Sequence, residues 1–72
     1  MGNRTGVTVE EQVEEIVRLL SDRGPLTSRE LRESLRVRRR DAVRFRFALR
    51  RALRLGLVLR QGPRYASVMG EG

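Results

Sequence analysis

The chain is 72 residues long, carries sixteen arginines against nine acidic residues, and has a net charge of +7. A domain of this length buries only about 60% of the surface its unfolded chain exposes, which leaves room for one small core and no second domain. It contains no cysteine, histidine or lysine; this removes disulfides, Cys/His zinc ligation, thiol and imidazole catalysis and lysine chemistry, so no enzyme activity, catalytic residue, metal or cofactor is expected.

Residues 1 to 7 include Gly2, Asn3 and Gly6, lack an apolar period, and read as a flexible tail. Over 8 to 23, Thr8 with Glu11 three residues later predicts a capping box, and Val9, Val13, Ile16, Val17 and Leu20 recur at helical spacing. Glu10, Glu11, Glu14 and Glu15 crowd the first half of this helix, where the positive end of the macrodipole favours them. Gly24-Pro25 stops it. Leu26 then precedes a second capping box, Thr27 to Glu30, which opens a helix over 28 to 35 with Leu31 and Leu35 as its apolar stripe. Two turns are not stable alone, and the short link 36 to 38 before the next helix predicts a helix-turn-helix.

The third helix is predicted over 39 to 55. Its repeat places Ala42, Phe45, Leu49, Ala52 and Leu53 inward and points Arg40, Arg44, Arg51 and Arg54 away from the core. Gly56 is expected to close it in the left-handed conformation. Two β-prone runs follow, 57 to 60 and 64 to 68, joined by Gln61-Gly62-Pro63 as a hairpin, and 70 to 72 form a second tail. Charge is segregated along the chain, net −2 over residues 1 to 33 and +9 over 34 to 72. An acidic supporting half and a basic contacting half are therefore expected, the latter suited to a polyanion.

Three helices followed by a hairpin, with the third helix long and basic, resemble the winged helix-turn-helix family. The resemblance spans residues 8 to 69 and rests on Leu31 and Leu35, the turn around Val37, the Leu55-Gly56-Leu57-Val58 exit, and Gly62 to Tyr65 in the hairpin. It implies an α+β, mostly α domain. In such a domain the third helix enters the major groove of double-stranded DNA, the second braces it, the hairpin wing reaches the backbone, and Leu26 pairs with the wing as a minimal strand. The stretch from Leu35 to Gly56 runs longer than in many members, as an extra turn on the third helix or a longer turn before it. The implied role is a small transcriptional regulator or a phage- or plasmid-type DNA-organising factor, acting on the nucleoid in the cytoplasm. Neither membrane contact nor a small-molecule ligand is expected, since the chain has no apolar stretch of spanning length.

Arg38-Arg39-Arg40 sits where the third helix is predicted to start, and positive charge there opposes the macrodipole by about 0.3–1 kcal/mol per residue. Local rules of this kind are broken mostly at functional sites. Arg39 and Arg40 are therefore candidates for base edges, and Arg36 and Arg38, in the turn, for phosphates. Arg44 is expected in the groove and Arg51 on the backbone, whereas Arg46 and Arg50 fall toward the flanks, where the carboxylates of the first helix are available. Thr27 and Ser28 are candidates for a phosphate as well as for capping. Arg60 and Arg64 flank the wing turn, and Tyr65 belongs to the core edge. Val43 and Phe47 fall on the arginine face, where packing on another chain, the wing or the N-terminal tail is favoured over contact with thymine methyls. Two alternatives follow: a protein-interaction module anchored by Val43 and Phe47, and RNA binding, which Phe45, Phe47 and Tyr65 support poorly as a stacking platform. The small footprint of one copy points to a homodimer on DNA or to tandem sites.

Overall fold

The computed structural model describes residues 8–68, so both expected tails lie outside the described residues. The elements are α1 (Val9–Arg23), β1 (Leu26–Thr27), α2 (Ser28–Ser34), a 3₁₀ turn (Arg39–Asp41), α3 (Ala42–Arg54), β2 (Val58–Gln61) and β3 (Arg64–Ser67). The strands form one antiparallel sheet in the order β1-β3-β2. Leu26 lies opposite Tyr65, so the two-residue strand before α2 pairs with the hairpin as expected. Within the hairpin the pairs run from Val58 opposite Ser67 to Gln61 opposite Arg64. The chain is thus a mixed α+β domain with a C-terminal hairpin, consistent with a winged-helix layout.

Local chemistry sets the element ends. Thr8 Oγ1 accepts from the Glu11 N–H at 3.1 Å while Glu11 Oε1 accepts from the Thr8 N–H at 3.2 Å; the Thr27–Glu30 box repeats this at 3.1 and 2.9 Å. Each box satisfies two backbone donors that a helix start leaves open. At the far ends, α2 and α3 close in the same way. After α3, the Gly56 N–H donates to Leu53 O (3.1 Å) and the Leu57 N–H to Ala52 O (3.0 Å), a Schellman motif with Gly56 at φ 76°. After α2, the Arg36 N–H donates to Glu33 O (3.2 Å) and the Val37 N–H to Arg32 O (2.9 Å), and here the left-handed position, φ 54°, holds an arginine. The hairpin closes through a two-residue loop, Gly62-Pro63, narrower than the three-residue turn expected. Gly62 has φ 63° at the first loop position and Pro63 cannot follow with a positive φ, which selects the type II′ geometry.

The third helix departs most from expectation. Residues 39 to 41 form a 3₁₀ turn, and α3 starts at Ala42, so the chain from Leu35 to Gly56 is a connection up to Asp41 followed by a thirteen-residue helix. Arg38, Arg39 and Arg40 thereby stay out of the first α-helical turn, where three like charges at the positive dipole end oppose helix formation.

The core comprises Val13, Ile16 and Leu20 of α1, Leu31 of α2, Phe45, Ala48, Leu49 and Ala52 of α3, and Val58 of β2. Ala48 and Ala52 are fully buried, and their small side chains let α1 and α3 pack closely in the most extensive contact of the molecule. Gln12, the one buried polar side chain among the described residues, donates from Nε2 to Glu15 Oε1 at 3.2 Å. The Ser21 hydroxyl donates to Ser67 Oγ at 3.1 Å, tying the end of α1 to β3.

Candidate nucleic-acid interface

Successive residues of an α-helix are turned by about 100°, so the buried set Phe45, Ala48, Leu49 and Ala52 dictates what each arginine of α3 faces. Val43, Phe47, Arg50 and Arg54 fall opposite the core. Arg46 lies on one flank, and Arg44 and Arg51 lie on the other. The flanks differ in chemistry.

On the Arg44 and Arg51 side the guanidinium groups meet carboxylates. Arg44 Nη1 is 3.4 Å from Asp41 Oδ1, and Arg51 Nη2 is 3.5 Å from Glu10 Oε2 on α1. The carboxylates of α1 were expected beside Arg46 and Arg50; the structure corrects this, because the helix phase turns Arg51 toward α1 instead. The Arg51–Glu10 side chains are 52% and 68% exposed, so the pair contributes at most about 1 kcal/mol.

On the Arg46 side the helix borders a shallow groove of about 540 Å³. Its walls are Ser28 at the start of α2, Val43, Arg46, Phe47 and Arg50 on α3, and Arg60 with Tyr65 on the hairpin. Among the described residues no carboxylate lines it. A second depression, about 720 Å³, continues past Phe47 and Arg50 to Arg54 and Val9. One open concave surface therefore joins α2, α3 and the hairpin under Arg46, Arg50, Arg54 and Arg60, with Arg51 at the far wall of the second depression.

The remaining candidates divide. Arg38, Arg39 and Arg40 are exposed where the 3₁₀ turn leads into α3. Arg36 lines a different depression, together with Glu15, Arg18 and Asp22 of α1, and its backbone there is left-handed. The cross-strand pairing puts Arg60 on the face of Tyr65, toward the groove, and puts Arg64 with Gln61 on the opposite face. Arg60 Nε also donates to Gly62 O at 3.4 Å, which holds its side chain along the loop. The Thr27 hydroxyl is engaged in capping α2, and of the expected Thr27–Ser28 pair only Ser28 lines the groove. Tyr65 packs against the core, as expected. Val43 and Phe47 remain 63% and 57% exposed, so neither is covered by the wing.

Sequence reasoning missed Arg46, Arg50 and Arg54 as one set. The signal was present in the four-residue spacing 46–50–54, but the phase became readable only once Ala48 was counted with the core.

Comparison with known protein families, curated proteins and solved structures yields no match. Among the described residues no helix is long and apolar enough to cross a membrane.

Proposed function

We propose that this chain is a winged helix-turn-helix protein that binds duplex DNA, as a small transcriptional regulator or DNA-organising factor. The observation that supports it best is the carboxylate-free groove shared by α2, α3 and the hairpin, with Arg46, Arg50 and Arg60 on its walls. Arginine suits this surface because its planar fork binds phosphates and guanine edges in two-point fashion. In this reading α3 enters the major groove, Arg39 and Arg40 lead its first turn toward the bases, and Arg60 holds a phosphate from the wing. Arg44 and Arg51, drawn toward Asp41 and Glu10, move to the margin of the contact. A single copy covers little DNA, so specific recognition uses two copies on two half-sites.

Titration of a fluorescent duplex over a range of salt concentrations tests the reading. With about six phosphates neutralised across the arginine face and the hairpin, log K falls against log salt with a slope of about −5. Arg46→Ala and Arg50→Ala each make the slope shallower by about 0.9, whereas Arg36→Ala, on the opposite side, leaves it unchanged. A flat salt response in the unaltered protein excludes duplex binding.

A further inference from the structure

Val43 and Phe47 stand four residues apart on the outward side of α3, the first 63% and the second 57% exposed, and nothing in the local structure accounts for them. The core is complete without them, since Phe45, two residues from each, already fills it. Neither residue favours the helix: Val and Phe are poorer helix formers than the Ala, Leu and Arg around them. Arg46, Arg50 and Arg54 surround them, and the two depressions they border carry no carboxylate among the described residues. An occupant of this surface must therefore be anionic overall and must still offer small apolar spots between its charges. Duplex DNA meets both conditions in the major groove, where each thymine carries a 5-methyl group beside the hydrogen-bonding base edges.

We propose that Val43 and Phe47 read pyrimidine 5-methyl groups in the major groove, so that the arginine face of α3 prefers thymine or 5-methylcytosine to the unmethylated pyrimidines. The inference rests on the duplex-binding reading above and names the chemistry its groove selects. The spacing fits: four residues advance about 6 Å along a helix, close to two steps of about 3.4 Å along one DNA strand. Arg46 and Arg50 repeat the same spacing three residues on, so each apolar reader has an arginine beside it to hold the adjacent phosphate or a guanine edge.

The test measures affinity for three pairs of duplexes that differ only in methyl groups. These are alternating dA-dT against dA-dU, alternating dG-dC against its 5-methylcytosine form, and a mixed sequence with thymine or with uracil. Removing one methyl from contact should weaken binding about four-fold, and two about fifteen-fold, with no change in the salt slope. In Phe47→Ala the difference between thymine and uracil duplexes should shrink to a few-fold, and in the Val43→Ala, Phe47→Ala double variant it should vanish. Both sites are exposed, and circular dichroism verifies that the variants keep their helix. The methyl swap on the unaltered protein gives its answer without any variant. Equal affinity for thymine and uracil duplexes, with a steep salt slope kept, overturns the methyl reader and leaves duplex binding standing. Equal affinity together with self-association that Phe47→Ala abolishes, seen by sedimentation without DNA, also overturns it and assigns the face to a second copy. Absence of salt-dependent binding to any duplex overturns both readings.

Discussion

Arg36 and Gly56 occupy the same position in two copies of one helix ending, with φ angles of 54° and 76°. A left-handed backbone costs a residue with a Cβ roughly 1–2 kcal/mol and costs glycine almost nothing. No atom lies within 4 Å of a Cβ built on Gly56, so the penalty of a side chain there is conformational and not steric. Gly56→Ala should therefore lower stability by about 1 kcal/mol, and Arg36→Gly should raise it by up to about 1 kcal/mol, both measured by urea denaturation. Because Arg36 faces α1, Arg36→Gly should leave the salt slope of duplex binding intact. The two arginines drawn into pairs, Arg44 and Arg51, follow a different rule. Their partners Asp41 and Glu10 are themselves solvated, so these contacts orient side chains more than they stabilise the fold.

At the scale of elements, α1 and α3 carry the molecule. Their contact relies on two alanines, and Ala48 at 0% exposure leaves no space for a larger side chain. Ala48→Leu should force the helices apart and cost about 1–3 kcal/mol, read as a lower thermal midpoint, with duplex affinity falling as α3 shifts relative to the hairpin. The α2 helix contributes less by itself. Its seven residues depend on the Thr27–Glu30 box at one end and on buried Leu31 in the middle. The hairpin is anchored at one end by Val58 in the core and by the Val68 N–H, which donates to Leu57 O at 3.0 Å. Its other end carries Arg60 out beside the groove.

Considered whole, the chain holds its positive charge on one half, net +9 from residue 34 onward. Among the described residues that half contains one acid, Asp41. Repulsion within the arginine face opposes folding, and salt screens it with a Debye length of about 10 Å at 0.1 M. Raising potassium chloride from 0.05 to 0.5 M should therefore increase the thermal midpoint of the free protein by a few degrees, through roughly 1 kcal/mol of relieved repulsion. The same change should weaken duplex binding steeply. Opposite responses of stability and affinity, followed by scanning calorimetry and by titration, connect both effects to one surface.

Much of this architecture was written in local patterns. Capping boxes at Thr8 and Thr27, the apolar period of α1 and the Gly56 stop depend on residues close in sequence, whereas the pairing of Leu26 with the hairpin was implied only by the resemblance to winged helix-turn-helix domains. Two features were not readable from the apolar period. The start of α3 moved to Ala42 because charge at a helix end competes with backbone geometry, and a count of apolar positions does not weigh that competition. The facing of the arginines followed from which side of α3 meets α1. Burying Ala48 rotates Arg46, Arg50 and Arg54 to the groove and Arg51 to Glu10, and an alanine's burial is weakly encoded because its side chain is nearly indifferent to water. The order of elements and the basic character of the third helix were thus legible in the primary structure; the identity of the arginines that share one concave surface came from packing, where helix phase is set by contacts across the core.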